Sequence, residues 1–139
     1  MNKPLHMKSM MSCIIDCGVK MGERSPEGSS TDRCKLDLAK DIISDLVLER
    51  MTNTKTMEFA INGYGCDVTN NHLDTAGENG YDNIYEAFLM SRVHKNIIEK
   101  IESLPVGKSD GDIVAAMVLG FNQLYNNNEK LVSIYWLLI

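Results

Sequence analysis

No two cysteines of this chain are spaced Cys-x-x-Cys; the four present are Cys13, Cys17, Cys34 and Cys66. On an extended strand Cys13 and Cys17 share a face roughly 13 Å apart, at about 3.3 Å per residue, too far to bridge or to share an ion. The four read as buried free thiols of a reducing compartment. Positive charge is scarce as well. Lys and Arg number 14 against 19 Asp and Glu, for a net charge of -5. That argues against this segment alone gripping nucleic acid, because phosphate contacts need clustered cations. The longest apolar run, Leu131 to Ile139, is interrupted by Ser133 and falls far short of the ~20 residues of a spanning helix. Met1 to Met11 carries Lys3, His6 and Lys8 without the apolar core of a secretory signal. A soluble, intracellular chain with no membrane partner is the expectation.

Chemical motifs are missing too. There is no Gly-x-x-x-x-Gly-Lys-Ser/Thr, and Gly63-Tyr64-Gly65 is not a dinucleotide fingerprint. His6, His72 and His94 stand without partners at ligand spacing and read as surface residues. Asp67, Asp74, Glu78 and Asp82 share a polar stretch with no EF-hand spacing, so a solvated loop is the better reading. Neither a serine nucleophile elbow nor a Cys/His pair can be assembled. An α/β domain without intrinsic catalysis is what the residues imply.

What the sequence does contain is a succession of buried-looking elements. At 139 residues, 44% hydrophobic and 24% charged, the chain is one domain or part of one. Residues 1–11 read as a flexible leader and 12–139 as the domain. Ser12-Cys-Ile-Ile-Asp-Cys-Gly18 is an apolar run without alternation, the pattern of a strand covered on both faces. A Gly-, Ser- and Pro-containing loop follows, with a helix N-cap expected at Thr31 or Asp32. Cys34 to Met51 predicts a helix with Leu38, Ile42, Leu46 and Arg50 in one row and Ala39, Ile43 and Val47 beside it.

Thr56 to Gly65 predicts a second strand, and 67–82 a long polar excursion. Asn83 to Val93 is ambiguous by period and is assigned as a strand, since a helix here would fuse with the next one. His94 to Leu104 predicts a short amphipathic helix, ended by Pro105. A third helix is capped by Ser109 or Asp110, with Asp112 near its positive end. Its buried face is expected to hold Ile113, Met117, Gly120, Phe121 and Leu124, with Gly120 permitting close packing. Leu131 to Ile139 predicts a last strand. Strand, helix, strand, strand, helix, helix, strand gives an α/β fold, a doubly wound, mostly parallel sheet flanked by helices.

Asp16 ends the first strand, where ligands bind in such sheets. A haloacid dehalogenase-type phosphatase needs a second Asp two residues on, and Gly18 stands there. A receiver-type pocket needs carboxylates before the strand, where Lys8 and Ser9 to Ser12 stand. A von Willebrand A-type cation site needs Asp-x-Ser-x-Ser, whose hydroxyls would coordinate a hard cation. Positions 16, 18 and 20 are Asp, Gly and Lys. Asp16 therefore reads as a strand-end carboxylate bonded to loop amides.

Three stretches nevertheless carry a family resemblance. They are Cys13-Ile-Ile-Asp-Cys-Gly-Val-Lys-Met21; the helix from Cys34 to Met51 with Asn53-Thr-Lys-Thr56 and the strand Glu58 to Gly65; and Asn83-Ile-Tyr85 onward through Ile101-Glu-Ser-Leu104 to Ser109-Asp-Gly-Asp-Ile-Val-Ala-Ala-Met117. Over roughly residues 12–125 the chain resembles the amino-terminal von Willebrand factor A-like domain of the large subunit of the Ku heterodimer. The resemblance implies a nuclear role in double-strand break repair by non-homologous end joining and in telomere maintenance. It implies the other Ku subunit and repair or telomere proteins as partners, with DNA ends held by the full-length complex rather than by this domain. It also implies no cofactor, and a degenerate remnant of a metal site at Asp16, Gly18, Lys20 and Asp110. Members of the family are often described as ATP-dependent DNA helicases, yet nothing in these residues supports nucleotide hydrolysis. A metal-dependent adhesion-type domain and a small α/β enzyme are the alternatives. The family's subunits are several times longer, so a C-terminally truncated domain is expected. Val132-Ser133 is what a GTAAGT splice donor encodes when translated, so intron read-through is the expected origin of the last residues.

Overall fold

A computed structural model describes residues 8–24, 33–53, 56–74, 80–126 and 132–138. The chain forms β1 (Lys8–Asp16), a single 3-10 turn (Val19–Gly22), α1 (Lys35–Asn53), β2 (Glu58–Tyr64), β3 (Ile84–Arg92), α2 (Asn96–Glu102), α3 (Ile113–Asn126) and β4 (Val132–Leu138). The expected succession of elements is therefore the observed one. The four strands make one sheet in the order β3-β2-β1-β4. β1 pairs in parallel with both β2 and β4, and β3 closes one edge antiparallel to β2. Asn83 to Val93 is thus a strand, as assigned. The first strand begins earlier than expected: it takes in residues 8–11, and Met10 and Met11 are buried. Residues 1–7 of the expected leader lie outside the described residues.

Alternation along β1 divides the core in two. Met11, Cys13, Ile15 and Cys17 face the layer of α1 and α2, where they meet Leu36, Ala39, Ile43, Val47, Ile97, Ile101 and Leu104. Ile14 faces α3, with Tyr64, Ile84, Ala115, Ala116 and Leu119. Helices on both faces explain why β1 reads as a continuous apolar run rather than an alternating one.

The helix phases needed correction. In α1 the row Leu36, Ala39, Ile43, Val47 is buried, while Leu38 and Ile42 of the other row are exposed and Leu46 is partly buried. The expected caps Thr31 and Asp32 lie outside the described residues. Cys34 directly precedes the helix, and its backbone N–H and Sγ both donate to Asp37 Oδ2, at 3.1 and 3.3 Å. In α3 the buried positions are Ala115, Ala116, Leu119, Gly120, Gln123 and Leu124, whereas Ile113 and Phe121 are exposed. The α3 cap is Asp112, not Ser109 or Asp110: Asp112 Oδ1 accepts from the Ala115 N–H at 3.1 Å. Gly120 acts as expected. A Cβ there would lie 3.0 Å from Ile14 Cδ1 and 3.1 Å from Ser12 Oγ, so its absence lets α3 settle onto β1. Among the described residues no helix is long and apolar enough to cross a membrane.

Candidate functional site

At the carboxyl ends of β1 and β2 three loops converge: 17–22 after β1, 65–67 after β2, and 105–112 before α3. They meet through bare backbone. A Cβ on Gly107 would stand 1.8 Å from the Gly65 carbonyl oxygen, and one on Gly111 would stand 2.3 Å from Gly65 N. Gly65 itself has φ of 72°, where a side chain is strained. Hydrogen bonds fasten the same contact. Gly107 N donates to Cys17 O at 2.7 Å, Val19 N to Ser109 O at 3.2 Å, and Lys108 N to Asp67 Oδ1 at 2.9 Å.

The space left between these loops is a cavity of ≈ 260 Å³ lined by Asp16, Gly18, Lys20, Tyr64, Asp110, Gly111 and Ile113. All four positions singled out in the sequence, Asp16, Gly18, Lys20 and Asp110, come together in it. Tyr64, Gly111 and Ile113 were not foreseen. Tyr64 is the consequential omission, because a tyrosine near the end of a strand carries no mark of the partner its hydroxyl will find.

Asp16 is engaged from two sides. Its Oδ1 accepts the Gly18 N–H at 2.8 Å. Tyr64 is hydrogen-bonded to its carboxylate; burial, and then the charge and hydrogen bond of Asp16, push the Tyr64 phenol up to about 12. The carboxylate is therefore held by a loop amide, as expected, and also by a phenol. Position 18 has little room for a side chain: a Cβ would sit 3.1 Å from Asp16 Oδ1 and 3.1 Å from Ser109 O. Lys20 contributes a cation to the lining, in the place where a hard-cation site would present a neutral oxygen donor. Among the described residues no three His, Cys, Asp or Glu side chains converge to hold a metal ion. This donor set does not fit a divalent cation. The remaining polar side chains of the lining are Asp110 and Tyr64.

The other sequence candidates scatter. His94 packs its ring 5.0 Å from that of Phe88. Asp67 serves the Lys108 amide, and Glu78 lies outside the described residues. His72 lies at the surface, as expected, but it is not without partners. Its Nδ1 lies 2.6 Å from Glu86 Oε1 and its Nε2 lies 2.6 Å from Asn122 Oδ1. Glu86 Oε2 accepts from Gln123 Nε2 at 2.9 Å, and Gln123 and Asn62 exchange two amide hydrogen bonds of 2.8 Å. Ser12 Oγ donates to Gln123 Oε1 at 3.0 Å. This polar chain runs from the sheet interior to the surface beneath α3. Only its histidine attracted notice in the sequence, because isolated amides in apolar segments give no signal of pairing.

A parallel-centred sheet with an antiparallel edge, helices on both faces and an aspartate-ended first strand below a loop-lined pocket defines a von Willebrand factor A-like α/β domain. The chain belongs to the family described as the Ku70/Ku80 N-terminal alpha/beta domain, whose model matches residues 11–133. Solved structures share the fold. An uncharacterized membrane spanning protein from Vibrio fischeri is 16% identical, with a TM-score of 0.64, over 88% of this chain and 52% of its own. The SpRpn10 VWA domain is 10% identical, with a TM-score of 0.63, over 92% and 58% respectively. The PilB minor pilin from Streptococcus sanguinis is 11% identical, with a TM-score of 0.64, over 99% and 30%. The chain thus spans about half the length of the first two structures it matches. No curated protein sequence matches it.

Proposed function

We propose that this chain acts as the amino-terminal docking domain of a Ku subunit. Its setting is the nucleus, in double-strand break repair by non-homologous end joining and in telomere maintenance. The observation that carries the reading is the family match over residues 11–133. In this reading the chain works beside the other Ku subunit and presents its surface to repair or telomere proteins, while DNA ends are gripped by the full-length complex. The net charge of -5 supports that division of labour, because it gives this segment no electrostatic claim on phosphates.

The pocket of Asp16, Gly18, Lys20 and Asp110 serves architecture here rather than cation binding. Bonds from Gly18 and Tyr64 to Asp16 favour this over the adhesion-type and enzymatic alternatives. The test has two arms. The purified chain is titrated with magnesium and manganese by calorimetry, and with blunt duplex DNA by fluorescence anisotropy at physiological salt. No metal heat and no end-dependent binding are expected, together with retention of the purified partner Ku subunit on the immobilised chain. Saturable metal binding would favour the adhesion-type reading. Tight DNA-end binding, or failure to retain the partner subunit, would sink the docking role.

A further inference from the structure

Cys17 follows the last residue of β1, and Cys66 lies two residues beyond the end of β2. Both thiols are free and both are buried, at 0% and 2% exposure. They occupy one small space over Gly63. A Cβ there would lie 2.9 Å from Cys66 Sγ and 3.0 Å from Cys17 Sγ. Because position 63 has no side chain, the two sulfurs fill that space together and interact. Their backbones are held on both sides. Cys17 N donates to Tyr64 O at 2.8 Å, Cys17 O accepts from Gly107 N at 2.7 Å, and Cys66 N donates to Asn83 O at 2.9 Å. The cysteine spacing considered in the sequence, Cys13 with Cys17, cannot bridge. The pair that meets is brought together only by the parallel pairing of β1 with β2.

The two thiols are not equivalent. The hydrogen bond from Cys17, helped by a backbone bond from Tyr85, lowers the pKa of Cys66 against the effect of burial. The same hydrogen bond, with burial next, pushes that of Cys17 up. Since the thiolate is the nucleophile, Cys66 is the sulfur that reacts first.

We infer that Cys17 and Cys66 form a redox-reactive pair, which hydrogen peroxide converts into a disulfide tying the loop after β1 to the loop after β2. A peroxide is the class of oxidant that suits sulfurs this deeply covered, since a bulky disulfide donor would not reach them. The Cys66 thiolate attacks one peroxide oxygen; an S–O bond forms, the O–O bond breaks, and the departing hydroxide takes up a proton as water. Cys66 is then a sulfenic acid. The Cys17 sulfur attacks that sulfur; an S–S bond forms, the S–O bond breaks, and the hydroxyl leaves as water with the Cys17 proton. Two thiols and one peroxide become one disulfide and two waters, the sulfurs being oxidised and the peroxide oxygens reduced. The new bond lies at the base of the loops that frame the Asp16 pocket.

The test uses the full chain treated with hydrogen peroxide, quenched, alkylated in denaturant and cleaved with trypsin and before aspartate. Cleavage before Asp16 separates Cys13 from Cys17, so the linkage is unambiguous. The expected product is a Cys17–Cys66 peptide pair lacking two hydrogens and restored by dithiothreitol. Cys17→Ser should leave a Cys66 sulfenic acid that dimedone traps. Gly63→Ala, which sets a methyl group between the sulfurs, should slow disulfide formation about tenfold or more while circular dichroism stays unchanged. Absence of the linkage in the unmodified chain would overturn the proposal. So would equal yields of bridges through Cys13 or Cys34, or a folded Gly63→Ala chain that cross-links at the original rate.

Discussion

Gly107 and Gly80 show how differently one residue type is used within a single chain. A methyl group on Gly107 would stand 1.8 Å from a backbone oxygen, whereas around Gly80, with φ of 74°, nothing lies within 4 Å. Gly107→Ala forces two backbones apart and should cost about 3 kcal/mol or more. Gly80→Ala should cost only its left-handed backbone term, about 1 kcal/mol. Urea midpoints of the two variants check the contrast; equal losses would mean that the loops do not meet as described. His72 makes a prediction of a different sort. Burial pulls its pKa down, but hydrogen bonds to Asn122 and Glu86 and the Glu86 charge outweigh that and raise it above the ordinary 6.5. A raised folded-state pKa means that the protonated ring favours the fold. Its contribution is complete below about 6.5 and is lost as pH rises through the higher folded value. Stability followed by urea melts should decline across that window, and His72→Gln should flatten the decline. The imidazole side chain is 40% exposed, which keeps the effect modest.

At the scale of elements, α3 is the most instructive. Over its 14 residues it carries no charged side chain, so apolar residues occur all round and their period cannot say which side is buried. The helix was legible in the sequence, but its phase was not, and Phe121 was placed inside although it is 59% exposed. Leu119, fully buried, is the real anchor. Leu119→Ala should cost about 2–5 kcal/mol, and Phe121→Ala under about 1 kcal/mol. Thermal denaturation of both variants decides the phase. α2 is legible because Lys95, Glu99, Lys100 and Glu102 mark its outside, opposite Ile97 and Ile101. In α1 two apolar rows competed, and only packing against β1 and α2 selects between them. The candidate pocket was legible to the extent that one carboxylate at a strand end is conspicuous. Tyr64 and Gly111 were illegible because their role arises from contacts between segments far apart in the chain.

For the molecule as a whole, one buried amide links three elements. Asn62 on β2 bonds to Ser12 Oγ and Cys13 O on β1 and to Gln123 on α3. Replacing it by leucine leaves buried polar partners unsatisfied, which should cost about 2–3 kcal/mol. Gln123→Leu in addition should cost less than its separate effect predicts, giving a coupling of about 1–2 kcal/mol in a double-mutant cycle. Additivity would mean that the amides do not act as a pair. The meeting of Gly65, Gly107 and Gly111 has a further consequence. Side chains at a loop contact can absorb displacement by changing rotamer, but where these three glycines meet they have none of their own to turn, so movement of one loop is transmitted to its neighbours as backbone translation. The end of the sheet that holds the pocket is therefore mechanically stiff, a clasp rather than a hinge.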